Sequence, residues 1–143
     1  MAEDRQPPAR PLFGPEHVRV YQETGGEQGY EWNGTTILLL TTTGRSSGEA
    51  RTTPLIFDDD GDAWVIVASK GGAPDHPDWY KNLQAQPEAT IQVKGDVIPV
   101  RARTAHGEER ERLWQKMTVA WPPYDEYKTK TDREIPVVVL ERG

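Results

Sequence analysis

The sequence predicts a small antiparallel β-barrel with a few short helices, a mainly β chain of the α+β kind. Three observations lead there. Apolar and β-branched runs of strand length recur at 35–43, 63–69 and 135–140. Two further stretches carry hairpin chemistry, the pentad Gly44-Arg45-Ser46-Ser47-Gly48 between Thr-rich runs and the dipeptide Gly95-Asp96 between 89–94 and 97–104. The helical patterns between them are short. About six strands linked this way close most simply into a barrel.

Taken in order, residues 1–15 hold Pro7, Pro8, Pro11 and Pro15 among charges, a composition that cannot bury enough surface to fold alone and is expected to be a flexible arm. A short helix follows over 16–24, with Val18 and Tyr21 on one side and Gly25-Gly26 ending it. The expected organisation is an arm with its short helix over 1–25 and a barrel domain over 26–143. The arm could lie over a pocket or make weak contact with a membrane surface. A tail plus a packing helix is favoured, because one short apolar face without a basic rim is a weak membrane signal.

The 35–43 run enters the Gly44 to Gly48 loop, and a second Thr-rich run leaves it with Pro54 at its middle. Residues 54–57 lead into Asp58-Asp59-Asp60-Gly61-Asp62, expected as a solvated tight turn, because the downstream bidentate Glu of a calcium loop is missing. The strand at 63–69 ends in Ser69-Lys70-Gly71-Gly72-Ala73-Pro74-Asp75-His76-Pro77, a loop that opens a helix over 78–86 closed by Pro87. The second hairpin turns at Gly95-Asp96, and Pro99 places part of its second strand at an edge or bulge. The main helix is expected over 107–120. Glu108 and Glu109 suit its positive end, Glu108 and Arg112 stand four apart, and Leu113, Met117 and Ala120 share a buried side. Trp121-Pro122-Pro123 breaks it, Tyr124 and Tyr127 follow in a short turn of helix, and 135–140 closes as a buried strand.

Composition excludes several functions. A net charge of −6 over 143 residues is the wrong field for a general nucleic-acid binder. With no cysteine there is no thiolate metal site and no Cys nucleophile, which fits a reducing cytoplasm. The first fifteen residues lack a signal-peptide core, and no run approaches the roughly 18 apolar residues of a membrane span. His17, His76 and His106 lack metal-ligand spacing and read as surface or structural. No phosphate-loop or dinucleotide-binding glycine pattern occurs, and no nucleophile, base and orienting group combine.

What remains is an anion site beside aromatic residues. Gly44 and Gly48 bare the backbone, Ser46 and Ser47 add hydroxyls, and Arg45 and Arg51 bracket the loop with guanidinium groups, a set suited to phosphate or carboxylate oxygens. Ser69, Lys70, Gly71 and Gly72 make a second donor-rich spot at a strand end. Tyr124, Tyr127 and Trp79 could wall a planar ring, and ordinary core packing is the competing account of them. Asn82 could cap a loop or face water. Any chemistry is then carried by a bound cofactor, for which the chain supplies anion donors and a water-poor pocket.

The segments LLLTTTGRSSGEARTTPL, VIVASKGGAPDHPDWYKNLQAQPE, ARTAHGEERERLW and PPYDEYKTKTDREIPVVVLE, in that order from about residue 36 to 141, resemble the deazaflavin-dependent nitroreductase family of actinobacteria. The resemblance implies a split β-barrel of the FMN-binding-like kind, making 26–143 a cofactor-binding domain. It implies reduced F420 as hydride donor to a quinone, nitro-aromatic or similar electron-poor acceptor, in a quinone or nitroreductase activity. The family's G-R-K-S-G loop falls on Gly44, Arg45, Ser46, Ser47 and Gly48, with its downstream arginine on Arg51. These and Ser69 to Gly72 would hold the cofactor's tail and phosphate, with Pro54, Leu55, Ala68, Ala73, Trp79 and Asn82 completing its surroundings. Tyr124 and Tyr127 would border the acceptor, with Ser69 and Tyr124 orienting its oxygens. Ser46 departs from the family's lysine, which should weaken tail binding or alter the preferred tail length. An FMN-dependent oxidoreductase of the same fold and a non-catalytic deazaflavin carrier stay open, as does an oligomer.

Overall fold

The longest hairpin sets the frame. In the computed structural model, which describes residues 14–32 and 34–143, helix α1 (Gly14–Thr24) leads to a two-residue strand β1 (Glu31–Trp32) and then to β2 (Thr35–Thr43) and β3 (Ala50–Asp60). Strand β4 (Ala63–Val67), a 3₁₀ turn (Lys70–Gly72) and helix α2 (Asp78–Ala85) follow. The second hairpin is β5 (Glu88–Val93) and β6 (Asp96–Thr104), and helices α3 (Gly107–Ala120) and α4 (Pro123–Tyr127) precede the last strand β7 (Val137–Arg142). Strand order is β1-β2-β3-β4-β7-β6-β5, and β5 returns to pair with β2. All pairings are antiparallel. Six strands, β2 to β7, therefore form the closed barrel expected from the sequence, and β1 adds to the β2 edge.

The apolar runs are continuous rather than alternating because these strands are covered on both faces. Leu38 and Leu40 of β2, Trp64 and Ile66 of β4, and Val138 and Leu140 of β7 fill the barrel interior together with Trp79, Tyr80 and Leu83 of α2. Their neighbours Val65, Val67, Val137 and Val139 point outward, under Leu113, Trp114 and Met117 of α3 and Tyr124 of α4. Ile37 and Leu39 do the same beneath Tyr21 of α1. Each such side chain removed from water stabilises the fold by roughly 1.5–3 kcal/mol.

Several local details depart from the sequence expectations. The second hairpin turns at Lys94-Gly95, one residue earlier than Gly95-Asp96, because Val93 pairs with Asp96 and Lys94 takes φ 56. Asp58, Asp59 and Asp60 belong to β3 and pair with Val65, Trp64 and Ala63, so the turn is confined to Gly61-Asp62. Asp60 is not simply solvated, since both its oxygens accept from Arg112, at 2.9 and 3.1 Å. Arg112 thus reaches across to β3 rather than to Glu108. One expectation is met: Pro99 pairs with Thr90 of β5 on one side only, because the β7 ladder ends at Val100 and Arg142, which leaves it at an edge. The arm ahead of residue 14, with its expected cover or membrane contact, lies outside the described residues.

Helix α1 is tied down by one hydroxyl. Tyr21, fully buried, donates to the Ile37 carbonyl at 2.9 Å and accepts from the Lys94 amide at 2.8 Å, bridging α1, β2 and the β5–β6 turn. Tyr21→Phe keeps the ring and strands both partners, so it should cost about 1–3 kcal/mol in equilibrium urea unfolding. A change too small to resolve would remove this hydroxyl from the forces that dock α1.

Candidate functional site

The loop between β2 and β3 is built to present Arg45. Gly44 donates to the Glu49 carbonyl and Gly48 to the Gly44 carbonyl, both at 2.8 Å, and Glu49 donates to Ser47 Oγ at 3.1 Å. A Cβ on Gly44 would lie 2.7 Å from Ser47 Oγ, so this closing position accepts only glycine without rearrangement. Asn82, buried on α2, accepts from the Arg45 amide at 3.2 Å and from Arg45 Nη1 at 2.8 Å, while its own amide donates to Thr42 Oγ1. Asp78 accepts from Arg45 Nη2 at 3.3 Å. Asn82 therefore caps the loop, through the Arg45 amide, and does not face water. It orients the arginine.

These internal bonds change what the loop can offer. The amides of Gly44, Arg45, Gly48 and Glu49 are already engaged within the protein, so the donors available to an anion lie at Ser46, Ser47 and the two guanidinium groups. Arg51 stands 3.8 Å from Glu49, both well exposed, a pairing worth about 0–1 kcal/mol that an incoming anion can displace. Gly44, Arg45, Ser46, Ser47, Arg51, Trp79 and Asn82 line one basin of about 640 Å³.

A second cleft, of about 410 Å³, opens beside it. Its walls come from Pro54 and Leu55 of β3, Ser69, Lys70, Trp79, Trp121, Tyr124 and Tyr127, and from His17 and Trp32 on the α1 side. Thr53 and Trp79 line both hollows, so basin and cleft are neighbours that share these two residues at their boundary. Lys70 is exposed at the cleft and held at φ 48, sparsely populated for a residue with a Cβ. Ser69 precedes the 3₁₀ turn without capping it through its hydroxyl. Gly72, at φ 85, packs against α4 so closely that a Cβ would meet the Tyr127 carbonyl at 2.7 Å. Gly71 completes that turn. Ala68 is fully buried and Ala73 half-buried, and each contributes its carbonyl to Arg133.

The aromatic wall is a packed set. Tyr124 and Tyr127 meet edge to face with ring centroids 6.1 Å apart, and Tyr124 also touches Trp114 at 6.2 Å. Trp121 donates to the Tyr127 hydroxyl at 3.4 Å and faces Trp32 at 5.6 Å. Burial holds the Tyr124 hydroxyl well above the ordinary tyrosine value. It stays a neutral donor at any physiological pH. Tyr124 and Trp79, for which the sequence posed core packing and a ring wall as alternatives, are packed in the core clusters and also line the cleft.

Sequence reasoning missed Trp32, Trp121, His17 and Arg133. Trp121 was visible only as part of a helix break, and Trp32 lies in a strand too short to register. His17 is buried with Nε2 2.8 Å from the Gly29 carbonyl.

Comparison with known proteins places these features in context. Residues 14–142 match the family model described as F420H(2)-dependent quinone reductase. The chain is 42% identical over 130 residues to an F420H(2)-dependent quinone reductase of Mycobacterium tuberculosis, covering 88% of this chain and 87% of that one. Among solved structures, an F420-H2 dependent reductase, FDR-A, superposes with a TM-score of 0.69 at 48% identity, covering 73% of this chain and 93% of that one. A protein described as a domain-swapped dimer gives 0.72 at 42% identity, covering 87% and 92%.

Burial raises Tyr124, and Tyr21 and Tyr30 shift the same way for the same leading reason. The stability they contribute is intact below the unfolded tyrosine value of about 10 and is lost as pH climbs from there toward the folded values. Tyr124→Phe should flatten that alkaline loss in urea unfolding followed between about pH 8 and 11. An equally steep loss in the variant would show that Tyr124 is not responsible for its share.

Proposed function

This chain belongs to the F420H(2)-dependent quinone reductase family, and on that premise we propose that it is a reductase passing a hydride from reduced F420 to a quinone, with nitro-aromatic and similar electron-poor molecules as alternative acceptors. The observation that carries the proposal is the adjacency of an arginine-bearing basin and an aromatic cleft, which share Thr53 and Trp79. The donor set suits a planar ring bearing a phosphorylated, multiply carboxylated tail. Guanidinium groups grip such oxygens by charge-assisted hydrogen bonds, and aromatic faces hold the ring. The chemistry such a cofactor supplies when bound is two-electron hydride donation.

This chain's own residues do the rest. Arg45, pre-aimed by Asn82, and Arg51, freed from Glu49, hold the tail with Ser46 and Ser47. Ser69 to Gly72 receive the phosphate. Trp79, Pro54 and Leu55 exclude water from the ring's side. Tyr124 and Tyr127 border the acceptor, with the Tyr124 and Ser69 hydroxyls orienting its oxygens. Positioning and desolvation, rather than a dedicated acid, are the protein's contribution. The same proposal places the protein in the cytoplasm and divides it into an arm over 1–25 and a cofactor-binding domain over 26–143. It includes self-association, for which the domain-swapped relative is the support.

The test is a titration with oxidised F420 by fluorescence, followed by anaerobic oxidation of F420H2 with menadione. Arg45→Ala and Arg51→Ala should each weaken F420 binding about tenfold or more while leaving kcat within a few-fold, because each removes a charge-assisted contact remote from the reacting ring. Ser46→Lys should tighten binding several-fold, with the gain eroded as salt screens the added charge. Saturation with FMN in place of F420, or F420 binding without menadione reduction, would overturn the proposal.

A further inference from the structure

The Ser69–Ala73 turn is held from beneath by one side chain that the functional assignment leaves unused. Arg133, half-buried in the connection from α4 to β7, donates from Nε to the Ala73 carbonyl at 2.9 Å and from Nη2 to the Ser69 carbonyl at 2.8 Å. Its Nη1 donates to the Ala68 carbonyl at 3.2 Å and lies 3.0 Å from His76 Nδ1. A guanidinium has no acceptor, so Nδ1 must accept, and His76 must be neutral with its proton on Nε2. One planar fork thus engages three carbonyls and an imidazole spread over residues 68–76. Lysine, with a compact ammonium, cannot reproduce that spread.

The turn has a second support. The buried Gly72 backbone packs against the Tyr127 carbonyl, so the turn is held by Arg133 and also by α4. Within it the Gly72 amide donates to the Ser69 carbonyl at 2.9 Å and the Ala73 amide to the Lys70 carbonyl at 3.1 Å. A left-handed Lys70 persists only where its surroundings over-determine it. Arg133 supplies that over-determination.

We propose that Arg133 is a positioning residue that locks the Ser69–Ala73 turn into its ligand-receiving shape, and that His76 is the proton-sensitive contact of the lock. The cofactor part of this rests on the proposed F420 reading, but the order of the turn does not. Protonation would place two donors face to face at Nη1 and Nδ1. The charged and titratable groups around His76 are Arg133, Asp75 on its own loop, whose Oδ1 accepts from the His76 amide at 3.0 Å, and Lys81 and Tyr80 of α2. Burial chiefly, and then Arg133, hold His76 below its ordinary value, Lys81 adds to this, and Asp75 opposes it. The lock is therefore made at neutral pH and loosens as pH falls through the depressed His76 value.

The experiment compares the cofactor-free wild type with Arg133→Gln and Arg133→Lys. Hydrogen exchange at the Gly72 and Ala73 amides should quicken about tenfold or more in Arg133→Gln, while β2 and β5 amides keep their protection. The His76 ring proton resonances should titrate at higher pH once the neighbouring cation is gone. F420 affinity should fall about tenfold in Arg133→Gln, with Arg133→Lys between. In the wild type it should weaken on acidification in step with the His76 titration, a dependence blunted in Arg133→Gln. Unchanged exchange at both amides, or a loosened turn with unaltered F420 affinity, would overturn the proposal. Should Arg133→Gln not fold, Arg133→Lys and the wild-type pH series decide the matter. A wild type that orders its turn as described but binds no F420 would count against the cofactor assignment and leave the lock standing.

Discussion

The pairing of β2 with β5 is the contact on which the rest depends. Leu39, Leu40 and Thr41 meet Gln92, Ile91 and Thr90, turning an open sheet into a barrel. The opposite edge of β2 is occupied by β3 along most of its length. Where β5 departs, β1 covers the exposed stretch at Thr35 and Thr36, which removes a free edge that would otherwise invite pairing with another chain. Because β2 is so enclosed, all four of Ile37, Leu38, Leu39 and Leu40 are buried, two facing inward and two beneath α1.

Two-sided burial also dictates where a site can form. A barrel this small fills its interior with side chains, so binding space must open at its rim, where loops and short helices gather. Helix α2 does two jobs there. Trp79, Tyr80 and Leu83 complete the interior cluster, while Asn82 and Asp78 on the same helix aim Arg45. Trp79 itself belongs both to the core and to the boundary between basin and cleft. A chain with a net charge of −6 can still present a cationic basin, because orientation of Arg45 by a buried amide fixes charge locally where the overall field would not concentrate it.

The elements most legible in the sequence were those whose signals are local. The Gly44 to Gly48 loop, the helix over 107–120 and the Tyr124–Tyr127 turn depend on turn glycines, helix periodicity and a proline break, and each stands within a residue or two of its expected place. Long-range contacts were less legible. Nothing near Arg45 announces that Asn82, thirty-seven residues away, will orient it, nor does TKTDREIP disclose that Arg133 will reach Ala68. The aspartate run misled for a related reason. Turn propensity at 58–60 yielded to pairing with β4 and to Arg112, a partner 52 residues downstream of Asp60. Tyr124, Tyr127 and Lys70 stood out in the sequence as ring walls and a cation at a strand end, and the resemblance added the acceptor and the cofactor. Their convergence on one cleft is a property of the closed barrel.

The cleft's chemistry follows from which donors line it. Among the described residues on its walls there is no carboxylate, and the polar groups include the Ser69, Tyr124 and Tyr127 hydroxyls, Thr53, His17 and the Lys70 ammonium. A carboxylate beside a planar acceptor would repel the negative charge that builds on its oxygens as electrons arrive, whereas hydroxyl and ammonium donors stabilise it. Burial keeps the Tyr124 hydroxyl protonated, so among the aromatic rings it is a neutral group able to donate a hydrogen bond. Ionising Tyr124 would require charge in the most water-poor part of the wall, against Trp114 and Tyr127. The same desolvation that costs stability at alkaline pH thus keeps this part of the wall uncharged.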